Sequence, residues 1–281
     1  MKPIRTILIW VSLLAIAMGF VLCLGALVAM KFDLTRFNTQ ETQVVNHTVS
    51  ESFTHISVDV SDCDVRFVSS HGDTCRVDCP ESPNLSYSIS VEQGTLTITE
   101  QDDTAWYHHV GIDLEPEELV VYLPQQTYGT LKLKTVTGNV SLPQDFSFVD
   151  ATISTTSGTL QCASAVSGEA TMETISGDVD ITGWTPQTLQ IQSTSADVRL
   201  SQVVVANSCR VENVSGDVRL NGCDAQSLVI NTVSGDISAS LCTGKTFSTQ
   251  TVSGDVDVPS NFSGGSCNLT TVSGDITCTI Q

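Results

Sequence analysis

The sequence predicts an all-β protein, a parallel β-solenoid (β-helix-like) of about 19–20 residues per coil, carried behind one N-terminal transmembrane helix. Three features predict it: a short phrase that returns at near-constant spacing, alternating apolar β-branched residues around that phrase, and one uncharged apolar run near the N-terminus.

The apolar run comes first in the chain. Ile7 to Met30 is 24 residues without a charge, long enough to cross a hydrocarbon core of roughly 30 Å as a helix. A cleaved signal peptide has a shorter apolar region, about 7–15 residues, ending in a small-x-small site. Here Leu27 and Ala29 precede Met30, a poor cleavage site, and Leu22 disfavours lipoprotein processing at Cys23. Lys2 and Arg5 before the span are balanced by Lys31 and Arg36 after it, so charge orients the span only weakly. Six residues precede it and 251 follow, and long acidic segments translocate largely regardless of charge. The expectation is a single-pass cell-membrane protein, with residues 1–6 cytoplasmic, a span at 7–30, a juxtamembrane stalk at 31–50 and the C-terminal domain extracytoplasmic.

Residues 51–130 read as degenerate β coils that cap the stack, since terminal repeats are atypical. Ile56-Ser57-Val58-Asp59-Val60 followed by Asp62-Cys63-Asp64-Val65-Arg66-Phe67 mimics strand, corner, strand, and Leu85 to Thr99 alternates with a break at Gly94. Residues 101–118, with Asp102, Asp103, Glu115, Glu117 and Glu118, read as an acidic loop.

From 131 to 281 one phrase recurs, as in Val214-Ser215-Gly216-Asp217-Val218 and Val252-Ser253-Gly254-Asp255-Val256. Its eight copies have glycines at 138, 158, 177, 216, 235, 254 and 274, with Ala196 in the remaining one, so the spacing is 19 or 20 throughout. The positions seven and five before the glycine, and two and four after it, are almost all apolar. Such alternation marks strands with one face inward. Parity shifts three and two residues before the glycine, typically at Thr-Val, so the chain bends there. Helical repeats are excluded, because Ser-Gly-Asp at this period breaks any long helix.

The formal charge is −19 with only 12 Lys plus Arg. With no basic patch to neutralise phosphates, a nucleic-acid partner is not expected. Adjacent coils place Asp178, Asp197, Asp217, Asp236, Asp255 and Asp275 in one column about one strand spacing apart. A calcium ladder there is considered and not favoured, because calcium takes about 6–8 oxygen ligands. The preferred reading is that each carboxylate accepts a hydrogen bond within its own turn. The Ser column before the glycine, and the Thr column at Thr135, Thr155, Thr174, Thr232, Thr251 and Thr271, line one edge. They serve either to stabilise the coils or to bind glycan. Arg199 and Arg219 share the outward face of Asp197 and Asp217 and read as surface ion pairs. His108-His109 reads as part of a solvated loop.

There are ten cysteines, Cys23 among them inside the span. Cys75 and Cys79 have CxxxC spacing with Cys63 nearby, and His71 offers a fourth metal ligand. A small disulfide or buried thiols are preferred in an oxidising compartment. Cys223 and Cys242 share the column seven residues after the glycine, beside Trp184 and Val203, and read as buried small hydrophobes with a disulfide open to them.

The apolar run, the degenerate β region, Leu119-Val120-Val121-Tyr122-Leu123-Pro124 and the serial Val-Ser-Gly-Asp-Val phrase together resemble the DUF4097 family of candidate adhesins, over roughly residues 50–281. That resemblance implies a bacterial, envelope-associated β-solenoid, in some cases linked with envelope stress, and carries no catalytic residues over. The function expected is a surface scaffold or adhesin-like binding module rather than an enzyme, with no cofactor and with cell-wall glycan or an envelope protein as partner. An envelope-stress sensor or regulator is the alternative, and an enzyme acting on envelope polysaccharide a weaker one. Unpaired strand groups around Ile276 to Ile280 imply either end-to-end self-association or pairing with an envelope protein, or a truncated coil shielded by its own side chains.

Overall fold

The computed structural model describes residues 42–70, 72, 74–102, 118–260 and 264–281, together with Met18 and Gly19. The expected span at 7–30, apart from those two residues, lies outside this set, as do residues 31–41 of the expected stalk, His71 and His108-His109. Among the described residues no helix is long and apolar enough to cross a membrane.

The N-terminal part contributes β1 (Gln43–Val49), β2 (His55–Asp59), β3 (Asp64–Ser70), β4 (Cys75–Glu81), β5 (Leu85–Glu92), β6 (Thr95–Asp102) and β7 (Glu118–Pro124). The repeats contribute β8 (Thr127–Lys134), β9 (Val140–Leu142), β10 (Ser147–Ser157), β11 (Leu160–Cys162), β12 (Ala165–Val166), β13 (Glu169–Ser176), β14 (Val179–Thr182), β15 (Thr188–Ser195) and β16 (Val198–Ser201). They continue with β17 (Val204–Glu212), β18 (Val218–Asn231), β19 (Ile237–Leu241), β20 (Lys245–Gln250), β21 (Val256–Asp257), β22 (Gly265–Thr270) and β23 (Ile276–Ile280). The fold is all-β and solenoid-like: strands before each corner pair in parallel in one layer and strands after it in another. Ala151 pairs with Ala170 and then Leu189 in the first layer, and Leu160 with Val179 and then Val198 in the second.

The inward columns form one continuous core running from Val49 to Cys278. Leu133, Ile153, Met172, Ile191, Val211, Ile230 and Leu269, all five residues before a corner, are buried, as are the residues two after it from Val140 to Ile237 and again at Ile276. The exception is the coil of β20 and β21, where Phe247 and Thr249 are only half-buried and Val256 is exposed.

That exception has a topological cause. The coil of β22 and β23 does not follow β20 and β21 on the stack but lies inside them. Leu228 of β18 pairs with Cys267, which pairs in turn with Phe247, and Ile237 pairs with Ile276, which pairs with Val256. The strand Ile276–Ile280, expected to be an open edge, is therefore paired along its length with β19 and covered on its other side by β21 at Ile276 and Thr277, and the last coil of the stack is residues 245–257. The same inversion occurs at the other end. There β2 and β3 lie inside, between β8 and β9 on one side and β6 and β7 on the other.

The N-terminal end departs from the expected coils in its outermost strands. Gln93 and Gly94, with φ of 50° and 76°, make the tight turn of an antiparallel β5–β6 hairpin. On the other layer β4 runs antiparallel to β7, and β1 antiparallel to β4. Residues 43–49, expected in the stalk, are thus a sheet strand, because Val45 and Val49 alternate inward and bring β1 onto β4.

The corner itself is set by backbone proximity. At Gly235, φ is +152°, and a Cβ added there would lie 2.1 Å from the carbonyl oxygen of Gly216 in the coil below. Ala196 breaks the pattern without positive φ, since Gln93 and Gln202 are the non-glycine residues with that geometry. Asn213 replaces the usual corner Thr beside it, donating from Nδ2 to the Ala196 and Gly216 carbonyls at 2.9 and 3.1 Å, while Ser193 Oγ donates to its Oδ1 at 2.8 Å. A second turn follows six residues after the corner, where Gly183, Gln202 and Gly222 have φ of 73°, 55° and 61°.

Lys245 fastens the outermost coil. Its side chain is 4% exposed and pairs with Asp224, and its Nζ donates to the Ala225 carbonyl at 2.8 Å and to Thr243 Oγ1 at 2.9 Å. Lys245 stands opposite Gly265 of the inserted coil, which has no side chain to block the reach. Two changes test this account. Gly235→Ala should lower the unfolding free energy by more than about 1 kcal/mol, since the native φ is incompatible with a side chain. Lys245→Ala should lower it by about 2–3 kcal/mol, because the buried stem of Lys245 is removed and the largely covered Asp224 carboxylate loses its cation, keeping only the Ala225 N–H. Lys134→Ala, on an exposed pair, should change it by less than about 1 kcal/mol; urea titrations of the full chain in detergent measure all three.

Candidate functional site

The bend at each corner puts two consecutive residues outward. The residue three before the glycine turns in: Thr135, Thr155, Thr174, Thr232 and Thr271 are buried, and Thr155 Oγ1 donates to the Ser157 carbonyl at 3.2 Å. Of the two readings of the Thr column, a glycan-binding edge or part of the coil structure, its inward orientation fits the second. The next residue, two before the glycine, turns out. Val136, Ile175, Val214, Val233, Val272 and Val252 are between 41% and 74% exposed, with the exposed Ser column beside them.

Stacking turns these positions into a groove along the solenoid. Ser154, Glu173, Gln192 and Glu212 form one wall, Thr156, Ile175, Thr194 and Val214 the other, and Thr155, Thr174, Ser193 and Asn213 the floor, enclosing about 550 Å³. One wall offers hydrogen-bonding side chains and two carboxylates, the other methyl groups. The Thr-Val dipeptide was the sequence signal for this face, but alternation alone did not say which of its members points out.

The Asp column lies beside the corner and does something other than expected. In five of the six, the Oδ1 accepts a backbone N–H from the neighbouring coil rather than from its own turn: Asp197 N donates to Asp178 at 3.3 Å, Asp217 N to Asp197 at 3.0 Å, Asp236 N to Asp217 at 2.9 Å, and Asp275 N to Asp236 at 2.8 Å. The order follows the inverted stack, so Asp275 lies between Asp236 and Asp255, whose N–H donates to Asp275 at 2.8 Å. Asn139 and Asp64 continue the ladder, Asn139 N donating to Asp64 at 2.7 Å and Thr159 N to Asn139 Oδ1 at 2.9 Å. Parallel strands bring the next N–H, not the same turn's, in front of each carboxylate.

Arg199 donates to Asp178 at 2.9 Å and Asp197 at 2.8 Å, and Arg219 donates to Asp217 at 2.6 Å. Both oxygens of Asp178, Asp197 and Asp217 are engaged in this way, which leaves no oxygen cage there for calcium. The Arg199 guanidinium, helped by the Asp197 N–H, holds the Asp178 carboxyl below its ordinary range against a smaller opposing effect of burial.

The nine cysteines among the described residues form no disulfide. Cys75 and Cys79 both face inward on β4, four residues apart on an extended strand, so their α-carbons are roughly 13 Å apart, too far to share an ion or a disulfide. Burial pushes both thiols up to about 12. Cys223 is buried but Cys242 is exposed. Gly222 inserts one residue before Cys223, and β19 lacks that insertion, so Leu241 takes the inward place opposite Cys223.

Two-layered parallel coils turned on a stacked glycine corner define a β-solenoid-like repeat protein with a long regular face. Within that class the chain belongs to the DUF4097 family: the Toastrack DUF4097 model matches residues 53–259 and 186–281. The fold is similar to that of a candidate lipid-binding protein from Parabacteroides distasonis, at 17% identity over 84% of this chain and 97% of that one, with a TM-score of 0.53. It is also similar to a candidate adhesin from the same organism, at 13% identity over 83% and 98%, with a TM-score of 0.51. No curated protein matches the chain.

The depressed Asp178 carboxyl carries a sign. Its contribution to stability is present above the unfolded carboxylate pKa and is lost as pH falls through the lower folded value. Removing the cause with Arg199→Ala should lower the melting temperature slightly and by a constant amount above pH ~6 and flatten the acid limb, so that the variant and parent profiles converge at the most acidic pH.

Proposed function

We propose that this chain is a membrane-anchored, extracytoplasmic binding module that holds cell-wall glycan along its corner face, and that it performs no catalysis. The observation that carries the reading is the exposed column two residues before each corner, Val or Ile in six coils and Thr156 and Thr194 in the other two, running beside the polar groove. Exposed apolar side chains gathered on one face of a folded domain mark an interaction surface. An extended sugar polymer suits a channel with methyl groups on one wall and hydrogen-bonding side chains on the other, since a sugar ring has an apolar face and a hydroxyl rim. The acidic surface disfavours nucleic acid and anionic lipid headgroups. The uncharged run at 7–30 supports the anchor.

Co-sedimentation of the full chain in detergent with insoluble peptidoglycan tests the proposal. Ile175→Asp together with Val214→Asp, both exposed and so harmless to the core, should reduce the bound fraction at least about tenfold, a loss of about 1.4 kcal/mol or more. Val204→Asp, exposed elsewhere on the stack, should bind as the parent does. Equal retention of the parent and both variants would place the binding elsewhere.

A further inference from the structure

At the N-terminal end of the second layer, His47 of β1 and Cys79 and Glu81 of β4 bring one donor atom each within 4.8 Å of one another. The register makes this convergence unusual. His47 stands opposite Val77 and Glu81 opposite Gln43, so the two residues are four positions apart along the strands, a backbone offset of roughly 13 Å. Their side chains nevertheless lean toward each other until Nε2 and Oε1 are 3.0 Å apart, beside the fully buried Cys79 thiol that lies between them in register. All three are inward positions of an antiparallel pair, and the His47 and Glu81 side chains keep 33% and 23% exposure, which leaves a path to solvent.

From this geometry we propose that His47, Cys79 and Glu81 form a zinc site that clamps β1 to β4. Thiolate, imidazole and carboxylate are the donor set that zinc takes, whereas calcium and magnesium take oxygen ligands. The half-exposed side leaves the fourth tetrahedral position to water. On binding, the ion takes the place of two protons, that of the Cys79 thiol and the one His47 Nε2 donates to Glu81; the first passes to solvent and the second to Nδ1 or to solvent, and no electron is transferred. The clamp acts on the strand that leads from the N-terminal segment into the stack, so zinc ties down the point where any pull from that segment enters the domain.

Zinc and cobalt(II) alone are the probes, added to the metal-free full chain in detergent. One equivalent of zinc should bind, and cobalt should give a thiolate-to-metal charge-transfer band. Cys79→Ser should abolish that band, while Cys242→Ser and Cys75→Ser should keep it. Because Cys79 is buried and its variant can lose stability, His47→Gln and Glu81→Gln provide a second arm. Each should weaken zinc binding by more than about 100-fold, beyond what loss of a supporting partner costs, with an unchanged circular dichroism spectrum. Zinc should also slow amide exchange across residues 43–49 in the parent and not in these variants. A cobalt band that survives in Cys79→Ser, zinc affinity unmoved in His47→Gln and Glu81→Gln, or a Cys63–Cys79 disulfide found by peptide mapping would each overturn the proposal.

Discussion

The structure rests on how closely the corners stack. At Gly158, Gly177, Gly235 and Gly274 the next coil's backbone carbonyl occupies the place where a side chain would begin, 2.1–2.2 Å from an ideal Cβ. Parallel strands have a fixed lateral spacing, so a corner wide enough for a side chain would pull the flanking strands out of hydrogen-bonding range. The small corner residue therefore sets the pitch of the whole stack, and the inward Thr and outward Val beside it follow from the bend that pitch imposes. The Asp ladder belongs to the same constraint, since only a tightly stacked turn brings each carboxylate within 2.7–3.3 Å of the neighbouring coil's N–H. A column of like charges is tolerable when every member inside the stack has a fixed N–H donor, some have Arg199 or Arg219 as well, and the last, Asp255, lies exposed at the end.

Much of this was legible in the residues. Period, parity, strand positions and the inward columns follow from apolar alternation around a recurring glycine, and the structure keeps them. The inverted coil order was not readable from spacing, because 19 or 20 residues leave enough chain to step one strand back as easily as one forward. A compositional trace was nonetheless present. Thr249 is the one polar residue in the column otherwise filled by Leu133, Ile153, Met172, Ile191, Val211, Ile230 and Leu269, and it lies in the coil that ends the stack, where a core-facing side chain meets water on one side. Cys242 shows the reverse failure: columns counted from the corner lose their meaning once one coil carries the extra residue at Gly222 and its neighbour does not. The groove needed the fold, because only stacking makes one wall from four separate coils. The His47 constellation needed it too, because its members belong to strands whose antiparallel pairing no periodicity announces.

The two ends of the solenoid are protected differently. At the N-terminal end, antiparallel strands lie outside the parallel coils, and β1 is held by a full seven-residue register with β4. At the other end the outermost strands are short, β21 being two residues long, and the buried Lys245–Asp224 pair fixes the coil in place. Short edges and an edge Lys both limit pairing with another sheet. The regular face between the ends is thus the more extensive uncovered apolar feature, and one that lengthens with each repeat added.

The exchange of the outer coils also separates the order of synthesis from the order of assembly. Residues 245–257 leave the ribosome before 265–280 yet lie farther out on the stack, so at that stage the chain has no completed layer on which they can settle. They must either wait or dock on β18 and β19 and be displaced. The same holds in mirror image at the other end, where β2 and β3 gain their second neighbours only after β8 and β9 have emerged. A solenoid built strictly in sequence order could fold coil by coil as it crosses a membrane. This one must hold both of its ends open to rearrangement, and it sets its outermost coil by a late closure after the whole chain has emerged rather than by simple accretion.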